Sequence, residues 1–373
     1  MDLMVNLNAT LPSAKAAATG PEFVFGKARW MVLLAAAGLA CLVASCDRAP
    51  EGERIETLRG QSMGTEWSMV LVEPDALTRI RAEVQLLLRN HEQRYSTWIH
   101  SSELSRLNRT PAQTAFAASP QLMRSLYRSG LMLDATQGAF DPTCAPLVRA
   151  WGFGPGAGPV ADFDAPDEAR IDHLRRHSTW DNLDINSHAG TITRLHEAVE
   201  IDLSALAKGE GVDLLADWLV EQGQRSFLIE IGGDLRAGGG APGRQSWPVG
   251  IEHPDGSGEM LAAVALRNQA LATSGTYIQQ LPAGGNGEVR PSHIIDPRTG
   301  YPVGHETISV SVVADTCAEA DAWATALLVI GAEDGLALAS SHNLPAMFVL
   351  RDQLESQRYL VLATPMFETL TDL

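Results

Sequence analysis

The clearest change in hydrophobic pattern lies just after residue 200. Ile201 and Leu203 close a short apolar stretch that predicts a strand, and apolar residues recur at helical spacing from Val212 to Leu219. Ser204 stands where a helix N-cap is expected, and Lys208 falls near the start of the predicted helix. A strand, a tight turn and a helix N-terminus together favour phosphate binding, because free N–H groups and the helix dipole attract an anion. An ordinary strand-to-helix turn is the alternative interpretation.

Further helices and strands are indicated by the same patterns. Two helix starts carry capping signatures, Ser119 before Pro120 and Thr316 three residues before Glu319. Phe227–Ile231 predicts a strand that ends in a turn at Gly232-Gly233-Asp234. Strands and helices do not alternate regularly, and no GxGxxG motif follows a first strand, which excludes a Rossmann dinucleotide enzyme. We therefore predict an α+β fold, with mixed β-sheets packed against α-helices.

The helix that follows Thr316 carries candidate metal ligands. Asp321 and Thr325 are four residues apart, so their side-chain oxygens lie on one helix face in adjacent turns. Oxygen ligands suit a hard cation. The alternative is structural, with Thr325 bonded to its own helix and Asp321 stabilising the first helical turn.

Composition narrows the class of ligand. The 373 residues are 45% hydrophobic and 20% charged, which is typical of a globular protein, and the net charge is −17. A broad basic face for nucleic acid is therefore excluded. A phosphate-bearing ligand would have to be bound by backbone N–H groups, a few local cations or a metal.

The N-terminal segment resembles an export signal. Lys27 and Arg29 precede an apolar run, Trp30–Ala44, which at about 15 residues is shorter than the ~20 that span a bilayer. Val43-Ala44-Ser45-Cys46 then resembles a bacterial lipobox, with Cys46 as the lipidated residue; Cys41 fits the pattern less well. A plain signal peptide with a small-residue cleavage site is the alternative.

These features predict the domain boundaries and the location. We expect a signal peptide over residues 1–45, a polar tether over 46–54 and one catalytic domain over 55–373. Asp47 after the lipidated cysteine resembles an inner-membrane retention signal, so the expected location is the periplasmic side of the cell inner membrane. Cys144 and Cys317 remain in the domain, and the sequence leaves open whether they pair.

Taken together, the motifs resemble the ApbE family of FAD:protein FMN transferases. The resemblance runs from Met63 to about Leu338 and rests on the order and spacing of these motifs: Met63-Gly64-Thr65, Gly138-Ala139-Phe140-Asp141-Pro142-Thr143, Trp151-Gly152-Phe153-Gly154, Asp202-Leu203-Ser204-Ala205, Lys208-Gly209, Gly232-Gly233-Asp234, Thr273-Ser274-Gly275, His293-Ile294-Ile295-Asp296-Pro297-Arg298-Thr299-Gly300 and Ala320-Asp321-Ala322-Trp323-Ala324-Thr325. The family fold places FAD in a cleft between two subregions.

The resemblance implies a reaction and a metal. FAD is split at its pyrophosphate, FMN is joined through its phosphate to a Thr or Ser hydroxyl of a target protein, and AMP leaves. Mg²⁺ is required, and by this resemblance Asp321, Thr325 and the backbone carbonyl of Ala205 would hold it. His293 is our candidate for the general base, and a purely structural role is the alternative. Asp296 could orient His293 or could instead contact the flavin or the metal.

The resemblance also implies the substrate contacts and the partners. FAD would lie against these residues: Met63, Trp98, Ala139, Phe140, Asp141, Asp202, Lys208 and Ile295. The acceptors expected from the family carry a Ser/Thr flavinylation motif and are subunits of redox pumps or related electron-transfer proteins. Two rival functions remain, an FAD pyrophosphatase that releases FMN and AMP, and a non-catalytic FAD-binding lipoprotein.

Overall fold

An antiparallel sheet forms the centre of the protein, seen here in a computed structural model that describes residues 53–157, 165–277, 292–352 and 358–371. The described residues belong to one compact unit spanning Gly52–Leu373. The predicted signal segment and Cys46 lie outside the described residues. The strands are β1 Ile55–Ser62, β2 Thr65–Val72, β3 Phe116–Ala117, β4 Leu183–Asn186, β5 Thr191–Arg194, β6 Phe227–Ile231, β7 Asp234–Gly238, β8 Trp247–Glu252, β9 Met260–Leu266, β10 Ala270–Gly275, β11 Ile295–Asp296, β12 Tyr301–Pro302, β13 Thr307–Ala314, β14 Ala346–Arg351 and β15 Tyr359–Ala363.

Eight of these described strands form the central sheet, in the order β1-β2-β6-β7-β10-β13-β14-β15. Smaller sheets are built from β3-β5-β4, β8-β9 and β11-β12. The helices are α1 Leu77–Tyr95, α2 Glu103–Arg109, α3 Pro120–Ala135, α4 Ala145–Ala150, α5 Glu168–His177, α6 Ser204–Glu221, α7 Cys317–Ile330, α8 Ala332–Ser341 and α9 Pro365–Glu368. The expected α+β fold is confirmed.

Alternating side chains send the two faces of the central sheet into different cores. Phe227, Ile229 and Ile231 of β6 pack with residues of α1 and α6, while Leu228 packs with the β8–β9 hairpin and α9 on the other face. This alternation follows from the two-residue period of a strand. The helices α1, α6, α7 and α8 cover the first face. The N-terminal turns of α6 and α7, which carry predicted site residues, therefore pack on the sheet.

Helix α7 is buried on nearly all sides because it lies between α6, α8 and the sheet. Its contact with α6 is unusually close at Gly209, where an added Cβ would lie 2.4 Å from the carbonyl oxygen of Cys317. The predicted caps of α7 and α3 are confirmed: the Thr316 hydroxyl accepts from the N–H of Glu319, and Ser119 caps α3. Glycine therefore sets how closely the two helices approach.

The chain entering α6 differs from the prediction in two ways. Residues 201–203 lie outside any strand, because the Asn108 side chain bonds both the N–H and the carbonyl of Ile201, at 2.9 and 2.8 Å. Ser204 is the first helical residue and not the N-cap, which is Leu203. Instead the carboxylate of Asp202 accepts from the N–H of Ser204, at 2.8 Å.

Two further features bear on the earlier expectations. Cys144 and Cys317 are free thiols in the described part of the chain and do not pair with each other. Among the residues described, no helix has the length and apolar character needed to cross a membrane.

Candidate functional site

Two tight hairpin turns lie side by side at one end of the central sheet. Met63-Gly64 joins β1 to β2 and Gly232-Gly233 joins β6 to β7, and β2 and β6 pair with Trp67 opposite Ile231. All four turn residues have positive φ, which for Met63 (φ 51°) is a disfavoured conformation. The Glu92 carboxylate accepts a hydrogen bond from the N–H of Met63 and holds this turn. The predicted FAD contact Met63 is thus fixed beside the Gly-Gly-Asp turn.

The second turn of α6 faces this end of the sheet and carries Lys208. Its Nζ lies 2.5 Å from Oδ2 of Asp234, the first residue of β7. Burial by itself would lower the pKa of Lys208, but the carboxylates of Asp234 and Asp321 raise it above the ordinary value. Lys208 is therefore a permanent cation at the candidate site.

Asp321 approaches from α7, and its charge acts on Lys208. The side chain is buried, and its Oδ2 accepts from the N–H of Gly209 at 3.3 Å. Burial, together with the negative charge of Asp234, raises the pKa of Asp321 to about 7. Two buried carboxylates here share one ammonium group, so the cluster has room for a further positive charge.

Thr325 lies one turn beyond Asp321 on α7. Its hydroxyl is 2.9 Å from the Ser274 hydroxyl at the end of β10. The structure therefore shows Thr325 bonded to Ser274 and not, as in the alternative interpretation, to its own helix. Ser274 orients this hydroxyl on the same helix face as Asp321.

Ala205 and Phe140 complete this side of the site. Phe140 packs with Ala318, Ala322 and Ala326 of α7, and Ala205 packs against the same cluster. The first turn of α6, with the Ala205 carbonyl, thus lies against the helix that carries Asp321 and Thr325. We call this region the α6–α7 contact.

The donors at the α6–α7 contact fit Mg²⁺. They are a carboxylate, a hydroxyl and a backbone carbonyl, and the buried charge there is negative in balance. Within the described ranges no three His, Cys, Asp or Glu side chains form a cluster that would hold a metal by themselves. Mg²⁺ commonly binds one or two protein carboxylates and completes its shell with water and substrate phosphates, which matches this donor set.

A cavity of about 230 Å³ lies next to the segment that enters α6, and Asp202 is one of its lining residues. We call it the side cavity; it is lined by Thr97, Ser105, Asn108, Arg109, Ala145, Val148, Arg149, Phe153, Gly154, Pro155, Glu200, Ile201 and Asp202. Trp98, next to Thr97, is 74% exposed and therefore free to stack on a ligand. Burial raises the pKa of Asp202, although the Ser204 N–H partly offsets this.

Asp141 and Ala139 lie in the turn that follows α3. The Asp141 carboxylate accepts from the N–H and the hydroxyl of Thr143, at 2.8 and 2.6 Å, and burial raises its pKa. The carbonyl of Pro142 accepts from the N–H of Asp202 at 2.7 Å. This bond ties the 139–142 turn to the segment that enters α6.

His293 and Ile295 lie near the side cavity. The ring of His293 is 6.2 Å from that of Phe153, which lines the cavity, and Ile295 packs with Trp151 and Phe153. Asp296, considered as an orienting group for His293, forms two 2.9 Å hydrogen bonds with the Arg298 guanidinium. The carboxylate thus closes the Asp296–Arg298 turn, and its role in orienting His293 stays a prediction.

The sequence model of the ApbE family matches residues 63–348, most of the chain. The chain belongs to the ApbE family.

Individual ApbE-family members resemble this chain over almost their whole length. A protein of Vibrio cholerae named FAD:protein FMN transferase is 32% identical, with 86% of this chain and 93% of the relative covered; one of Haemophilus influenzae with the same name is 31% identical, with 85% and 91% covered. The solved structure of the flavin transferase ApbE from Vibrio cholerae superposes with a TM-score of 0.76 at 32% identity, covering 85% of this chain and 99% of that one. The apo flavinyl transferase ApbE from Pseudomonas stutzeri gives 0.78 at 29% identity, covering 87% and 99%.

Sequence reasoning missed two carboxylates that shape this ApbE-family site. Asp234 was recognised only as the end of a Gly-Gly-Asp turn, and the structure shows it as the partner of Lys208. Asp213 accepts from the N–H groups of Cys317 and Ala318, both at 2.9 Å, and so caps α7 from α6. The Gly-Gly pair before Asp234 was a sequence signal that could have marked it as a site residue. Asp213 gave no such signal, because it is an acidic residue inside a helix.

Proposed function

We propose that this chain is a Mg²⁺-dependent FAD:protein FMN transferase, which moves FMN from FAD to a Thr or Ser hydroxyl of a target protein and releases AMP. The relatives' names agree with the expected enzyme class, a transferase. The observation that carries the proposal is the meeting of Lys208, Asp321 and the first turn of α6 in a chain of this family.

The residues divide the work by their chemistry. Lys208 would bind the pyrophosphate, since its ammonium group is charged and its side chain is 34% exposed. Asp321, Thr325 and the Ala205 carbonyl would hold Mg²⁺, which when bound stabilises charge on the phosphate oxygens. Met63 and Phe140 would line the same end of the cleft.

The side cavity would serve the rest of the substrate. Trp98 offers an exposed aromatic face, Asp202 lines the cavity and Ile295 packs with Phe153, another of its lining residues. Ala139 and Asp141 lie in the turn whose Pro142 carbonyl bonds to Asp202. His293 is the proposed base that removes the proton of the acceptor hydroxyl. The oxygen of the acceptor Ser or Thr would then form a bond to the FMN phosphorus, and the bond between that phosphorus and the AMP oxygen would break. Such a base contributes about 10²–10⁴-fold.

We also propose that the chain is a lipoprotein, anchored through Cys46 on the periplasmic side of the inner membrane. The support is the Val43–Cys46 lipobox after a short apolar run, followed by Asp47. Its protein acceptors would then be redox-pump or electron-transfer subunits that face the same compartment.

The test uses the full chain in detergent, with FAD, Mg²⁺ and an acceptor domain that carries a flavinylation motif. We expect the acceptor to gain the mass of one FMN phosphoryl unit as AMP appears. Asp321→Ala should reduce the rate by about 100-fold or more, because a metal supplies several kcal/mol of transition-state stabilisation.

Asp217→Asn is the matched control, since it removes an exposed carboxylate on α6 that pairs with Arg236. AMP release without an acceptor adduct would replace the transferase with the pyrophosphatase. Bound FAD without turnover would leave only the FAD-binding lipoprotein.

A further inference from the structure

Two buried carboxylates act on Lys208, and the structure shows an ion pair with one of them, Asp234. Its Nζ is 2.5 Å from Asp234, while the charge of Asp321 also acts on it from α7. Asp234 is 1% exposed and lies beneath Lys208, whose side chain is partly open to the cleft. An ammonium group has three N–H donors, so one contact with Asp234 leaves two for an anion.

Asp234 is a fixed anchor. It begins β7 immediately after the Gly232-Gly233 turn and pairs with Ile231 in the sheet. Its strand pairs with β10, and the backbone N–H of Thr273 on that strand favours the charged form of the carboxylate. The carboxylate is thus held by the sheet itself, and Lys208 is held by the carboxylate.

We propose that Asp234 is a positioning residue that holds Lys208 away from Asp321 and so leaves the Asp321 carboxylate available to Mg²⁺. This inference rests on the proposed function, because it assigns Mg²⁺ to Asp321. It assigns a role to a second carboxylate, Asp234, that is 1% exposed and bonds to Lys208.

The inference follows from how charges pair in a buried environment. Lys208 is partly buried, and an ammonium group in such a place is costly without a counter-charge, so it pairs with whichever carboxylate is in reach. When Asp234 loses its charge, Asp321 is the remaining buried carboxylate beside Lys208. Lys208 would then occupy Asp321 and compete with the divalent cation.

The test measures Mn²⁺ binding by electron paramagnetic resonance on the full chain in detergent, without FAD, so that turnover plays no part. Asp234→Asn keeps the shape of the side chain and removes its charge. We expect the dissociation constant for Mn²⁺ to rise by about tenfold to 100-fold, the range found when groups behind metal ligands are changed. Asp217→Asn makes the same change in net charge at an exposed position of α6 and should leave Mn²⁺ binding unchanged.

A double-mutant cycle tests whether Lys208 is the group through which Asp234→Asn acts. Lys208→Gln added to Asp234→Asn should restore most of the lost Mn²⁺ affinity, since the competing ammonium is gone. If the double variant binds Mn²⁺ as weakly as Asp234→Asn, the inference is overturned. Unchanged Mn²⁺ binding in Asp234→Asn would overturn it equally.

A further variant keeps the inference testable if Asp234→Asn does not fold. Lys208→Gln alone should bind Mn²⁺ at least as tightly as the wild-type chain, and weaker binding would overturn the inference. FMN transfer to the acceptor domain is measured separately. If the variants bind Mn²⁺ as expected but the wild-type chain transfers no FMN, the transferase is refuted and the role of Asp234 stands. If the wild-type chain transfers FMN but the variants do not bind Mn²⁺ as expected, only the role of Asp234 is refuted.

Discussion

The α6–α7 contact and the side cavity are two halves of one candidate site, built in opposite ways. At the α6–α7 contact, Asp321 and Asp234 are buried, and Gly209 fits against the backbone of α7. Around the side cavity, Trp98 is largely exposed and lies in the short connection between α1 and α2. The difference teaches that buried charged groups must be held in place by a closely packed core. An aromatic side chain that stacks on a ligand can instead be carried by a short connecting segment. Changes at the first region should therefore alter stability, and changes at the second should alter ligand binding alone.

The largest effect on stability is expected at Asp213, which belongs to the α6–α7 contact. Asp213→Ala leaves the N–H groups of Cys317 and Ala318 without their acceptor and removes a partner of Arg236. We expect the free energy of unfolding, measured in urea, to fall by about 3 kcal/mol, since each buried polar group left unpaired costs about 1–3 kcal/mol. Asp213→Asn keeps one acceptor oxygen and should lose less; an equal loss would argue against the capping role.

The second prediction concerns pH and tests whether His91, which lies against α6, is shielded from water. His91 of α1 is buried, its Nε2 donates to the Ala207 carbonyl at 2.7 Å, and burial lowers its pKa to about 4. The unfolded chain binds this proton near pH 6.5 and the folded chain does not, so stability should fall as the pH drops from about 6.5 to 4. The loss approaches about 3 kcal/mol.

His91→Gln should flatten this part of the profile of unfolding free energy against pH. The exposed His100 provides the matched control, and His100→Gln should leave the slope unchanged. A slope that survives in His91→Gln would place the responsible group elsewhere.

The third prediction concerns the close approach of α6 to α7. Gly209→Ala raises helix propensity, yet the added Cβ would lie 2.4 Å from the Cys317 carbonyl oxygen. We expect a net loss of about 1–3 kcal/mol in unfolding free energy, because overpacking against backbone forces the helices apart. Gly304→Ala has open space around its Cβ and should be close to neutral. A stabilised Gly209→Ala protein would show that the contact yields easily.

The smallest effect on stability, close to zero, is expected on the side of the cavity. Trp98→Ala should weaken FAD binding by roughly tenfold, measured by flavin fluorescence, because stacking on an aromatic ring contributes about 1–3 kcal/mol. Its urea unfolding curve should match that of the wild-type chain, since the side chain is mostly exposed. Trp98→Phe should retain most of the affinity. A large loss of stability in Trp98→Ala would remove the contrast between the two regions.

The sequence predicted those parts of the site that depend on local spacing. The N-cap at Thr316 and the four-residue interval between Asp321 and Thr325 follow from helical geometry, and both are seen in α7. The strand that ends at the Gly-Gly-Asp turn also follows from a local pattern. These features need no knowledge of what packs against them.

The parts that could not be predicted depend on distant residues. Residues 201–203 look like a strand, but Asn108, 93 positions away from Ile201, supplies the hydrogen bonds that a neighbouring strand would supply. Lys208 meets Asp234 across 26 positions, and Asp213 caps α7 across more than 100. Residue types show that such groups need partners, whereas only the folded chain shows which partners they have.

The two unpaired thiols have a practical consequence. Cys144 and Cys317 do not bridge, and burial raises the pKa of both thiols, so little of either is present as the reactive thiolate. The described domain therefore holds together without oxidative folding. Production in a reducing cytoplasm, with reductant present throughout purification, is compatible with its native state.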